Sequence, residues 1–238
     1  MNKVTRLKYY IESLCIYDFE DDDVFSALYD LLCDDEEDTV ALQSYFFKEL
    51  AKSESLKRHI SRLILTNDNI FTKAACAGKV NQLSIAVINA VKSDLAKLEE
   101  IASLTAQDIL ADIDDEDIKE ILLTLPGWEV GKPLAPLDSH WDRQLDELIK
   151  YHRENGYGIY AKNIAFTWRD EEITPVNSID PIRLTDLKNY ELQRNKVIDN
   201  TESFIAGHPA NNVLLYGDRG TGKSSTVHAI LNLSLIHI

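Results

Sequence analysis

The chain is poor in the residues that staple, ligate or anchor. Three cysteines (Cys15, Cys33 and Cys76) occur in 238 residues, and no two form a C-x-x-C pair. So sparse and odd a set excludes a disulfide framework and predicts reduced, mostly buried thiols of a cytosolic protein. Six histidines are scattered with no H-E-x-x-H among them, which removes the usual helical zinc site. No G-x-S-x-G is present, so a hydrolase nucleophile elbow has no support. Basic residues are also short, 25 against 40 acidic, giving a net charge of −15 and a pI near 4.8. Phosphate neutralisation needs clustered Lys and Arg, so general affinity for nucleic acid or anionic membrane is not expected. No apolar run reaches the ~18 residues of a membrane span. The basic opening (Lys3, Arg6, Lys8) leads into Tyr9, Tyr10, Glu12 and Ser13 instead of a signal-peptide core. A cytoplasmic location is the expectation.

What is present is helical periodicity. The apolar fraction is 45%, enough for a real core in a chain of this length. Apolar residues recur at helical spacing in Leu7, Tyr10, Ile11 and Leu14, then in Val24, Leu28, Leu31 and Leu32. The pattern continues through Leu42, Tyr45, Phe46 and Leu50, and through Leu56, Ile60, Leu63 and Ile64. The longest stripe is Val80, Leu83, Val87, Val91, Leu95, Leu98 and Ile101; Ile109, Ile113 and a short segment over 118–125 follow. Residues 1–155 therefore read as a helical N-terminal region whose stripes are core faces of a bundle or stack.

Acidic clusters at 20–23, 34–38 and 114–117 punctuate this region. Carboxylates at helix starts cap free amides and complement the helix dipole, which is the preferred reading. A calcium loop fails over 112–123, where Asp117 holds the glycine position and Leu123 the glutamate position. A docking face for a protein partner is the remaining alternative.

Pro126-Gly127-Trp128 through Pro136 is the clearest break. A helix restarts near Asp138, with Trp141, Leu145, Leu148, Ile149 and His152 on one side, and stops at Asn155-Gly156. Residues 156–180 form a small β segment: the stretches 158–168 and 172–176 are aromatic and β-branched, a hairpin about Arg169-Asp170-Glu171. Residues 181–238 then begin an α/β domain.

That domain opens on a phosphate-binding signature. Gly217, Gly222, Lys223 and Ser224 fill G-x-x-x-x-G-K-S. At average residue usage these four positions match by chance in about one chain in a hundred of this length. The preceding Val213-Leu214-Leu215-Tyr216 has the pattern of a strand buried on both faces, and Val227, Ile230 and Leu231 give the following helix an apolar face. Gly217, Gly220 and Gly222 allow positive backbone dihedrals and close approach of phosphate. Successive amides, from Asp218 and Arg219 through Ser225, can then form an anion nest at a helix N-terminus. Lys223 reaches the terminal phosphates as a point charge and acts as the catalytic cation, with Thr221 as a helper. The Ser224 hydroxyl ligates Mg²⁺.

The run from Leu187 through Arg194, Asn200, Phe204 and Gly207, and on through Pro209 to Val227, resembles a bacterial family of AAA-superfamily ATPases catalogued as domain of unknown function 815. The resemblance covers about 182–232, and Asn189 stands where many members have Gly. It implies an ATP and Mg²⁺ site at Gly217–Ser225, the segment about Leu187 and Tyr190 near the adenine, and the capacity to form homo-oligomers. Hydrolysis in this superfamily also needs an acidic strand, a polar sensor and an arginine finger. The chain ends before any of them. Its last six residues, 233–238, translate a transposase end sequence used in DNA-library preparation, so Asn232 is expected to be the last native residue of a truncated gene. Weak or no nucleotide binding is the expectation for the 238-residue chain. Two alternatives stay open: a P-loop small-molecule kinase, and a non-hydrolysing, nucleotide-switched adaptor whose acidic helices bind a protein.

Overall fold

A computed structural model describes residues 1–34, 38–53, 55–176, 178 and 180–234. The middle of the 34–38 acidic cluster and residues 235–238 of the foreign-looking tail lie outside them. The chain is mainly helical with one small antiparallel hairpin, and it divides into two units, 1–162 and 163–238. No helix among the described residues is long and apolar enough to cross a membrane.

The first unit contains α1 (Lys3–Glu12), α2 (Asp23–Cys33), α3 (Thr39–Leu50), α4 (Leu56–Leu65) and α5 (Ile70–Cys76). After these come α6 (Ile85–Ile101), α7 (Ala106–Leu110), α8 (Glu116–Leu122), α9 (Leu145–Asn155) and α10 (Gly158–Lys162). Capping side chains set the starts. Asp22 accepts from Phe25 N at 2.9 Å to open α2, Ser84 takes Val87 N at 3.3 Å to open α6, and Asp115 takes Asp117 N at 2.8 Å to open α8. Two of the three acidic clusters thus supply helix caps. In the third, Asp38 makes no side-chain cap, and Asp34 accepts from Asp38 N and Thr39 Oγ1.

The stripes meet in one core. Leu7, Leu28, Phe46, Leu56, Ile60, Ile64, Leu95, Leu98 and Trp141 are fully buried. Trp128 packs edge-on against Phe46 with centroids 4.9 Å apart, and its indole N–H donates to Leu104 O at 2.9 Å. The proline-rich break is a strap. Leu56 N and Lys57 N, free at the start of α4, donate to Glu129 O and Val130 O at 3.0 and 2.9 Å. Gly131 (φ +67°) lies so close to the start of α4 that a Cβ there would sit 2.1 Å from Ser55 Oγ.

Several expectations are corrected. Cys15 and Cys76 are exposed and Cys33 half-buried: Cys33 and Cys76 are the last residues of α2 and α5, and Cys15 lies in the segment that follows α1. Tyr45 faces outward at 47% exposed, and its neighbour Phe46 carries the stripe inward. Within 118–125 Leu122 is buried but Ile121 and Leu123 are exposed, since one short helix offers the core little more than one position per turn. The stripe from Val80 is interrupted: 80–82 is a 3-10 turn, and Ser84 restarts the chain as α6.

The second unit holds β1 (Phe166–Arg169), β2 (Glu172–Pro175), α11 (Glu191–Ile205) and α12 (Lys223–Ser234). The hairpin pairs Phe166 with Pro175 and Arg169 with Glu172, and Asp170 and Glu171 make the turn at φ +52° and +65°. Its first strand is shorter than the sequence pattern suggests. Gly158–Lys162 coils as α10, where Tyr160 N bonds to Tyr157 O at 2.9 Å. The expected strand at Val213–Tyr216 is absent. No described segment pairs with it, and Leu214 and Tyr216 are 83% and 88% exposed. A strand buried on both faces needs neighbours for its ladder and its side chains. Among the described residues of this unit only Ala229 is buried.

One buried histidine makes stability depend on pH. His152 shares a hydrogen bond at 2.9 Å between Nδ1 and Gly156 O, while its Nε2 is buried with no partner among the described residues. Burial pushes the imidazole below its ordinary value of 6.5, against the smaller upward pull of the Gly156 carbonyl. The native state therefore binds fewer protons than the unfolded chain. Its contribution is present above about pH 6.5 and is lost as pH falls toward the lowered folded value. The carboxyls of Asp22 and Asp108 titrate below this window, because their hydrogen bonds outweigh burial and hold them under 3.8. The urea midpoint should drop between about pH 7.5 and about pH 5.5, and the drop should shrink in His152→Leu.

Candidate phosphate-binding site

The site lies within the second unit. Its loop runs from Gly217 into α12, and Gly217, Gly220 and Gly222 take φ values of +139°, +81° and +79°. A Cβ at Gly220 or Gly222 would meet nothing within 4 Å, so it is backbone conformation, not crowding, that demands glycine there. The Thr221 hydroxyl ties the loop by donating to Asp218 O at 2.9 Å. Thr226 closes its end, with amide and hydroxyl both on Gly222 O at 2.8 and 2.9 Å. The amides of Lys223, Ser224 and Ser225 have no backbone acceptor among the described residues, as expected of a first helical turn.

Lys223 turns back into the loop. Its ammonium donates to Gly217 O at 2.9 Å, Asp218 O at 2.6 Å and Thr221 Oγ1 at 3.2 Å. An arriving phosphate would draw this cation from neutral carbonyl oxygens to charged ones, a stronger hydrogen bond. Ser224 is exposed, as are Asp218 and Arg219, while Ser225 is half-buried. Among the described residues no group of three or more His, Cys, Asp or Glu could hold a metal. An ion of the Mg²⁺ type asks for no such cage. One hydroxyl, waters and the ligand's phosphates suffice, and Ser224 fits that part.

A cavity of about 300 Å³ joins the loop to a second feature, with Leu187, Asn189, Tyr190, Leu215, Lys223 and Thr226 among its walls. Asn189 and Tyr190 are both left-handed, at φ +67° and +56°. Asparagine adopts this conformation with little strain and a tyrosine rarely does. The dihedral at Asn189 is one that glycine favours. Arg194 holds the turn, donating from Nη1 to Leu187 O at 2.6 Å. Asn200 fixes the approach to the loop: its side chain bonds both N and O of Asn211, at 2.9 and 2.8 Å. These two anchors were not assigned roles from sequence. The signal for Asn200 is a weak helix former inside a helix; Arg194 carries none.

Residues 161–236 match a family model described as Protein of unknown function (DUF815). The match takes in the hairpin as well as the turn, α11 and the loop. No curated protein and no solved structure matches the chain.

Arg194 clamps the turn with a charge-assisted bond to Leu187 O and a longer one to Asn189 O, together worth about 1.5 kcal/mol or more, which is a factor of about ten in opening. Arg194→Ala should accelerate tryptic cleavage after Lys188 about tenfold under native conditions. An unchanged rate would mean that the Leu187–Tyr190 turn is held by something else.

Proposed function

We propose that Gly217–Ser225 binds the phosphates of ATP together with Mg²⁺, as the opening of an AAA-type P-loop domain. The observation that carries this reading is the loop itself. Three glycines hold positive φ, α12 offers its first amides, and Lys223 rests on loop oxygens that a phosphate would replace. In this reading Lys223 meets the terminal phosphates and Ser224 ligates the ion. The backbone from Asp218 to Ser225 forms the cradle, and the Leu187–Tyr190 turn borders the base. Hydrolysis is an extension of the same proposal. It requires a carboxylate to hold the ion and orient water, a part this reading assigns to no residue of the loop, Asp218 included.

Affinity for the isolated chain should be low. The segment leading into the loop is exposed and unpaired, so part of the binding energy goes into ordering it. We expect a Kd for Mg-ATP on the order of 0.1–1 mM, and a loss of at least about tenfold in Lys223→Ala. Calorimetric titration of both proteins tests this. Equal affinity in the two, or no saturable binding by the wild type, would overturn the proposal.

A further inference from the structure

The first unit holds a chain of polar side chains that nucleotide binding does not use. Ser53 follows α3 with its amide on Leu50 O at 2.8 Å. Its Oγ lies 2.8 Å from His59 Nδ1, and His59 Nε2 lies 2.8 Å from Asp22 Oδ1. The imidazole is buried, the Ser53 side chain half-buried, and Asp22 is anchored as the cap of α2. Ser53 also lines a cavity of about 350 Å³ whose walls include Phe47, Leu50, Ser55, Trp128 and Glu129.

We propose that Ser53 is a nucleophile activated by His59 and oriented by Asp22, able to take an acyl group from an ester and pass it to water. The geometry meets the general requirement for an activated serine: nucleophile and base within hydrogen-bond reach, and the base oriented by a third group. Asp22 stays ionised because the bonds from His59, Phe25 and Val24 outweigh the opposing effect of burial. Its carboxylate accepts Nε2–H and so leaves the Nδ1 lone pair toward the Ser53 hydroxyl. The ring is turned end for end relative to the arrangement in which Nε2 faces serine. Either nitrogen serves as base once the other carries the proton.

Ser53 Oγ attacks the carbonyl carbon as its proton passes to Nδ1, and the alcohol leaves with that proton. Water then attacks the acyl-serine, giving its proton to Nδ1, and the carboxylic acid departs as the proton returns to Ser53 Oγ. Phe47, Leu50 and Trp128 share the cavity wall with Ser55 and Glu129, a mixed lining that suits a short acyl group such as acetyl. Ser55 Oγ accepts the Arg58 amide at 3.4 Å, and its own proton has no acceptor among the described residues. That proton can meet the carbonyl oxygen as charge develops on it.

A purely structural network would tie α2, α3 and α4 together without making Ser53 reactive. The test uses the full chain, a fluorophosphonate probe and peptide mass spectrometry. One adduct is expected on Ser53 and none in Ser53→Ala. Asp22→Asn keeps the capping oxygen, and asparagine caps helices as well as aspartate. Labelling should nevertheless slow by more than about tenfold while the melting temperature holds, since the amide no longer fixes the tautomer. If Asp22→Asn does not fold, hydrolysis of p-nitrophenyl acetate by wild type, lost in Ser53→Ala, decides in its place. No adduct on Ser53, labelling unaffected by a folded Asp22→Asn, or ester hydrolysis unaffected by Ser53→Ala would overturn the proposal.

Discussion

A backbone amide taken out of water has to meet an acceptor, and this chain answers that requirement repeatedly with something other than a helix or a sheet. The deepest case is Asp94 on α6. Its carboxylate is wholly buried, and one oxygen gathers the amides of Cys15, Ile16 and Tyr17 at 2.9, 2.7 and 3.3 Å. The segment leaving α1 is thereby pinned to the longest helix of the unit. Lys97 stands 3.8 Å from the other oxygen and donates to Ser13 O at 2.7 Å, so the buried charge has a cation beside it. Burial and this carboxylate together push the Tyr17 hydroxyl well above its ordinary value. The strap does for α4 with Glu129 and Val130 carbonyls what Asp94 does with its oxygen. The loop after Gly217 presents the same unsatisfied groups at the start of α12 and leaves them open, which is the basis of the phosphate reading.

Sequence patterns carried the first unit well where a residue's role is local. Asp22 and Asp115, in two of the acidic clusters, sit where a cap is needed, and a cap needs only its own helix. The glycine pattern of the loop and the stop at Asn155-Gly156 were legible for the same reason. Long-range roles were not. Asp94 has the appearance of an ordinary charge on an amphipathic helix, and nothing adjacent to it marks three amides arriving from residues 15–17. His59 lies within α4, Asp22 caps α2 and Ser53 follows α3, and only folding brings the three together.

The misreadings share a cause. Val213–Tyr216 has the composition of an inner strand, but strand formation depends on partners, and none is present among the described residues. Gly158–Lys162 has β-branched and aromatic content, yet a single turn of helix joined to α9 satisfies its amides locally. Tyr45 and Phe46 are adjacent and similar in apolar character, so a stripe drawn from spacing alone could not choose between them. Asn189 holds a φ of +67°, a conformation that glycine favours and asparagine adopts with little strain.

The central claim is that the loop is an anion site made by main-chain amides. It is tested most directly by ¹⁵N-resolved amide chemical shifts during titration with inorganic tripolyphosphate, which has no base to bind elsewhere. The account predicts that the largest shifts fall on Gly220, Gly222, Lys223, Ser224 and Ser225, and saturate together. Shifts confined to other segments, or a loop that does not respond as the rest of the chain titrates, would contradict it.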